Sequence, residues 1–219
     1  MKKSLKIILF ITITISFIPK LQAQTYTLLK RIPISAKKIA VDKFDILYII
    51  EDYKISQYNT KGELLYTYEN LELGEISSLD VSNPLKLVVL FEDYNIACVL
   101  DHKMGLINTI DLFEMNLNQI SAISIPNTMQ FWVYDKIDTR LKLYDKNFKL
   151  INQSENFIQL FDDASEIKAL KISNSQVYVL DKNDIKVFDQ FGTFIKKIAL
   201  TEIEDFQIFN YQIIYFQDN

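Results

Sequence analysis

Beyond its first two dozen residues this chain carries its apolar positions in runs of four to seven, rich in Ile, Val, Leu, Tyr and Phe, with polar turn residues between them. Short runs of β-branched and aromatic residues punctuated in this way predict strands. Several runs, among them Leu87–Phe91 and Phe131–Tyr134, are apolar on consecutive residues. That pattern predicts strands covered on both faces, where a sheet with one wet face would alternate. Helix signals are few.

Laid under one another, the runs repeat as units of four. An A-type segment opens each unit: Ile39–Asp42, Leu79–Ser82, Ile123–Pro126, Leu170–Ser173 and Phe206–Phe209. A stronger B-type strand follows and ends in an aspartate, in Leu47–Asp52, Leu87–Asp93, Phe131–Asp135, Val177–Asp181 and Ile214–Asp218. The C-type strands Ile55–Tyr58, Ile96–Leu100, Leu141–Tyr144 and Ile185–Phe188 run into polar turns. D-type strands then close the units at Glu63–Tyr68, Leu106–Leu112, Lys149–Gln153 and Thr193–Leu200. Successive B-strand aspartates stand 41, 42, 46 and 37 residues apart. A period near 40 with four short strands per unit is that of a propeller blade. The expected fold is therefore an all-β β-propeller of four-stranded blades, about four full blades and a partial one. Gly62, Gly105 and Gly192 are expected to supply positive φ at the C–D turns, with Asn147 in that role in the third unit. An outer-membrane barrel fits less well, because its strands run to about 9–11 residues and alternate. A β-sandwich would leave the four-strand period unexplained.

Counting strands raises a question of closure. Tyr26–Ile34 shares its order of apolar, basic and apolar positions with the D-type strand Thr193–Leu200. Such an N-terminal strand would complete a last blade whose other strands come from the C-terminus. The C-terminal end supplies Phe206–Phe209 and Ile213–Phe216, then reaches Asp218-Asn219 where a C strand should begin. The expectation is a truncated product or an open, curved array. An edge at Ile213–Phe216 would invite self-association.

The first 23 residues have a different character. Lys2, Lys3 and Lys6 precede the apolar stretch Ile7–Ile18, Pro19 ends it, and Gln22-Ala23 offers a small residue before Gln24. This reads as a secretory signal peptide over 1–23, followed by a propeller domain over 24–219. The apolar stretch falls short of the roughly 20 residues that cross a bilayer, so no integral span is expected after its removal. The expected location is periplasmic or extracellular, associated with the cell envelope. The formal charge of −4 becomes −8 when the leader leaves with its four lysines and no acid. An acidic domain is a poor partner for nucleic acid. Cys98 is the only cysteine, so no internal disulfide forms; its place within Ile96–Leu100 predicts a small core residue.

The stretch Val187–Ile195 (Val-Phe-Asp-Gln-Phe-Gly-Thr-Phe-Ile) resembles the repeats of NHL-type, exported six-bladed β-propellers. Asn83-Pro84-Leu85-Lys86 is similar to a segment of small exported bacterial proteins of that kind. The resemblance implies the fold and no particular activity. The chain departs from the pattern in having four glycines and no Trp-Asp dipeptide.

Candidate chemistry is sparse. His102 is the only histidine and falls in a predicted C–D turn beside Asp101 and Lys103, so a solvated residue is expected, and no catalytic residue is assigned. One His and one Cys make a zinc site hard to assemble. No glycine-rich phosphate loop is present, and no metal or other cofactor is expected. The carboxylates Asp52, Asp93, Asp135 and Asp181 recur at B-strand ends and would ring one rim of a propeller. They are the candidate ligand-binding residues, for a cation or a glycan. Against that stands a structural reading, in which each caps a turn by accepting from backbone amides. On that reading Asp135→Asn changes stability by less than about 1 kcal/mol. Two functions follow: a non-enzymatic interaction module presenting its loops to an envelope protein, or a glycan-binding or glycan-cleaving propeller. The second needs a rim pocket with paired carboxylates about 5–10 Å apart beside an exposed aromatic.

Overall fold

Each run of β-branched and aromatic residues becomes a strand, and the strands pair with their sequence neighbours. The computed structural model describes residues 31, 36–125, 130–162, 166–182, 184–200, 202–209 and 212–215. Nearly all of these belong to the unit that begins at Ile34. The leader, the Tyr26–Ile34 stretch apart from Arg31, and Asp218 lie outside the described residues.

The first blade comprises β1 (Lys38–Val41), β2 (Leu47–Ile50), β3 (Lys54–Tyr58) and β4 (Leu64–Glu69). The second comprises β5 (Ser78–Asp80), β6 (Leu87–Phe91), β7 (Ile96–Leu100) and β8 (Leu106–Asp111). The third is β9 (Ile120–Ser124), β10 (Gln130–Asp135), β11 (Arg140–Asp145) and β12 (Leu150–Gln153). In the fourth stand β13 (Ala169–Ser173), β14 (Gln176–Leu180), β15 (Asp184–Asp189) and β16 (Phe194–Ala199). Each is an antiparallel sheet in sequence order, and β17 (Phe206–Phe209) pairs with β18 (Gln212–Tyr215) as a partial fifth. The four blades form a propeller ring.

The two-sided apolar runs explain the stacking. Successive side chains of a strand point to opposite faces, so one run supplies two cores. In β6, Leu87, Val89 and Phe91 pack with Tyr48, Ile50 and Ile55 of the first blade. Val88 and Leu90 of the same strand pack with Phe131 and Val133 of the third. Trp132 and Leu143 then meet Val179 and Phe188 of the fourth blade, and Leu180 and Val187 meet Phe206 of the fifth sheet. All five β6 residues are fully buried, each stabilising the fold by about 1.5–3 kcal/mol relative to exposure. The D strands stand at the outer edge and are mostly exposed. The A strands line the centre, where a cavity of about 20 Å³ remains between Ala40, Leu79, Ile123 and Leu170. The partial sheet reaches the first blade, with Val41 N donating to Gln207 Oε1 at 3.1 Å.

The C–D turns repeat one device. Asn59, Asp101, Asp145 and Asp189 each accept from the backbone amides two and four residues on, at 2.7–3.0 Å. A bulge follows in each blade where the D strand begins. The residue three past the Asx takes the left-handed conformation this turn-and-bulge requires: Gly62, Met104, Phe148 and Gly192. This corrects the expectation of Gly105 and Asn147, each of which lies one position away from the slot. Met104 tolerates the strain while buried in the first interblade core, and Phe148 sets its ring edge-on to Phe131 at 5.9 Å.

The long loop between the third and fourth blades holds a feature absent from the sequence reading, the helix α1 (Phe157–Phe161). Asn156 caps it by accepting from Ile158 N and Gln159 N, and Asp162 ends it with φ 54°. Phe157 is buried and stacks on Phe188 at 5.2 Å. The helix is thus a plug between the third and fourth blades, with Leu160 and Phe161 packed against the same core as Phe157. A five-residue helix has too little period to be read from sequence.

Two measurements probe this packing. At Gly192, φ is +83° and an added Cβ would lie 3.2 Å from Ser154 N and from the Trp132 ring. Gly192→Ala should cost about 1–3 kcal/mol in urea unfolding. Burial, with the neighbouring Cys98 thiol, pushes the Tyr68 hydroxyl up to about 12. A group whose folded pKa is raised stabilises fully below its unfolded value near 10 and loses that contribution as pH climbs toward 12. The melting temperature should therefore fall from about pH 10 upward, and Tyr68→Phe should reduce that fall.

Candidate functional site

The B–C and D–A loops share one rim, called upper here, and the A–B and C–D turns share the other. The four candidate aspartates all reach the upper rim but do not occupy one structural position. Pairing of Ile50 with Ile55, Leu90 with Ala97, Tyr134 with Leu141 and Leu180 with Ile185 fixes the register. By that register Asp135 and Asp181 are equivalent to Glu51 and Phe91. Asp52 and Asp93 lie in the loops beyond. Both are exposed, and Asp52 pairs with Lys37 at 2.8 Å. Asp93 lies in the B–C turn closed by Asn95 N donating to Glu92 O at 3.0 Å.

Asp135 and Asp181 point into the interfaces between blades. Asp135 is 3% exposed and accepts from Ile137 N at 2.9 Å and from Lys142 Nζ at 2.7 Å. Lys142 also reaches Asp138. Asp181, equally buried, accepts from Asp184 N at 2.9 Å and from Lys186 Nζ, and Lys186 reaches Asp184 at 2.7 Å. Lys186 Nζ also lies 4.9 Å from the centre of the Phe161 ring. Burial works against the charge of Lys142, but its bonds to Asp135 and Asp138 outweigh it and hold its pKa above the ordinary lysine value. These are two equivalent lysine–carboxylate clusters at successive blade interfaces. The lysines escaped the sequence reading, although the signal was there: Leu141-Lys142-Leu143 and Ile185-Lys186-Val187 each place a charge inside an apolar C strand.

The rest of the upper rim is acidic and aromatic. Every described B–C and D–A loop carries at least one carboxylate, including Glu72, Glu92, Glu114 and Glu155. Between them the large apolar tips Tyr53, Leu71, Tyr94, Phe113 and Ile137 are exposed. Tyr94 lies against the next loop at Gly74, where a Cβ would approach its ring to 3.3 Å. Lys136 ties the second and third B–C loops together through Glu92. His102 is exposed in a C–D turn on the lower rim, and Cys98 is buried in the first interblade core. Among the described residues no three His, Cys, Asp or Glu side chains gather to hold a metal ion. No described helix is long and apolar enough to cross a membrane.

No protein-family model matches the chain, and no curated protein matches it. Solved structures similar to it include WD40 and other β-propeller domains. The WD40 β-propeller domain of Doa1 superposes with a TM-score of 0.58 at 13% identity, over 81% of this chain and 58% of that one. The WD40 domain of Pan2 from Neurospora crassa gives 0.53 at 13% identity, over 82% and 60%. Virginiamycin B lyase from Staphylococcus aureus gives 0.52 at 13% identity, over 82% and 68%. This chain spans about three-fifths of the length of the first two. At such identity the likeness concerns the fold alone.

The clusters change the outcome expected for Asp135. Its substitution by Asn leaves Lys142 buried with one carboxylate fewer, so the sequence-based figure of under about 1 kcal/mol is too small. Asp135→Asn should cost about 1–3 kcal/mol in urea unfolding. Adding Lys142→Met to Asp135→Asn should recover part of that loss, since it removes the stranded charge. Additive losses in the double variant would show that the pair is not coupled.

Proposed function

We propose that this protein is an exported, non-enzymatic interaction module of the bacterial cell envelope, docking a protein partner on its upper rim. The propeller fold commonly mediates protein interactions. One observation carries the reading: Tyr53, Leu71, Tyr94, Phe113 and Ile137 stand exposed on the loops of a single rim. Aromatic and aliphatic tips among charged residues are the composition of an interface core inside a polar rim. The acidic loops favour a partner whose facing surface is basic. Two of the four candidate carboxylates, Asp135 and Asp181, are committed to buried lysines. That supports a docking surface over a glycan cleft. The lysine-led leader supports export, and the likeness of Val187–Ile195 to NHL-type repeats fits a repeat protein built for display.

The test uses the full chain as bait in envelope extract, with mass spectrometry of what is retained. A partner captured by the unaltered protein should be lost about tenfold or more with Tyr53→Ser, Tyr94→Ser and Phe113→Ser combined. It should be retained when Phe44→Ser and Leu85→Ser alter the lower rim instead. Equal capture by the upper-rim variant would contradict the assignment. The intact mass of the exported product should correspond to a start at or near Gln24, and full-length chain in the membrane fraction would contradict cleavage.

A further inference from the structure

The upper end of the central channel carries charge of the opposite sign to the rim around it. Lys38, Lys168 and Lys171 line its cavity together with a single carboxylate, Asp205. Lys168 is engaged, donating to Glu204 at 2.6 Å and to Ile203 O at 3.4 Å. Lys171 stands 3.6 Å from Asp205. Lys38 donates to Ser77 O at 2.8 Å, and no carboxylate lies within hydrogen-bonding distance of it among the described residues. Burial lowers its pKa, with Lys171 and Lys37 acting in the same direction against the pull of Asp205 and Glu204. The Lys38 ammonium is only partly exposed and has two further N–H donors to satisfy. The cavity of about 20 Å³ suits one water-sized group. The small residues Ala40, Ala122 and Ala169 around it leave no side chain to fill that space.

We propose that the upper end of the channel binds one small anion, a chloride or a single carboxylate group, held by Lys38, Lys168 and Lys171. The inference rests on the channel alone and stands whether or not the rim docks a protein. The anion has two sources, a free ion or a carboxylate carried on a polypeptide that docks over the rim. Both present a single negative charge to the three ammonium groups.

The chlorine NMR linewidth of a chloride solution containing the full chain reads the site directly. The protein should broaden the line, and Lys38→Met should weaken chloride binding about tenfold. Lys171→Met is the second variant, for the case in which Lys38→Met melts early. Lys103→Met, on the lower rim, should leave the broadening as in the unaltered protein. Narrowing by formate identifies a free anion as the ligand. Narrowing by hexaglutamate at far lower concentration than formate identifies a carboxylate presented on a chain. Equal linewidths for the unaltered protein, Lys38→Met and Lys171→Met would overturn the proposal.

Discussion

The structure depends on neighbouring sheets burying their facing sides against one another. A single run such as Leu87–Phe91 contributes alternate side chains to two different cores, so the second, third and fourth blades have no solvated face to spare. Water reaches the D strands outside, the two rims of turns, and the outer flanks of the array, where Ile39 and Val41 of the first blade and Ile214 and Tyr215 of the fifth sheet are exposed. The burial also constrains any charge placed on a blade face. At one pair of equivalent positions the first blade has Glu51 and Ser56, and the second has Phe91 and Cys98. The third blade has Asp135 and Lys142 there, and the fourth Asp181 and Lys186. In the third and fourth blades charge enters the interface as a compensated set, in the second it is replaced by an apolar and a small group, and in the first Glu51 keeps contact with solvent beside Lys54.

That constraint is also why so much of the fold was legible in sequence. Two-sided apolar runs with a period near 40 residues point to stacked four-stranded sheets, and the boundaries of β2, β6, β7 and β15 follow the runs closely. The failures were local. The A strand of the third blade begins at Ile120, three residues before the run that announced it, because a bulge at Tyr134 and Asp135 shifts the pairing. Glycine marks the left-handed turn position only in the first and fourth blades, and Met104 and Phe148 fill it in the second and third, where side-chain packing offsets the strain. A propensity argument cannot see a packing compensation.

At the candidate site the same division holds. Recurring aspartates were visible, but a sequence alignment of B strands cannot separate residues that differ by a step or two of register. Asp52 lies one step and Asp93 two steps beyond the position that buries Asp135 and Asp181, and both are exposed. The exposed apolar tips Tyr53, Tyr94 and Phe113 fall between the strand runs, where the sequence gives no measure of their exposure. What emerges is a molecule whose recurring charges serve its own interfaces. The irregular loop residues, and the lysines gathered at the channel, are what it presents outward.

The central claim is that the blades form one stack in which every interface depends on the next. The sequence provides two unique internal reporters, Cys98 between the first and second blades and Trp132 between the third and fourth. Unfolding the full chain in urea, with Trp132 fluorescence and the reactivity of the Cys98 thiol followed in the same samples, compares distant interfaces. Interdependent stacking predicts coincident transitions with one midpoint. Exposure of the Cys98 thiol while Trp132 keeps its native emission would show that the interfaces melt separately, and would contradict the account.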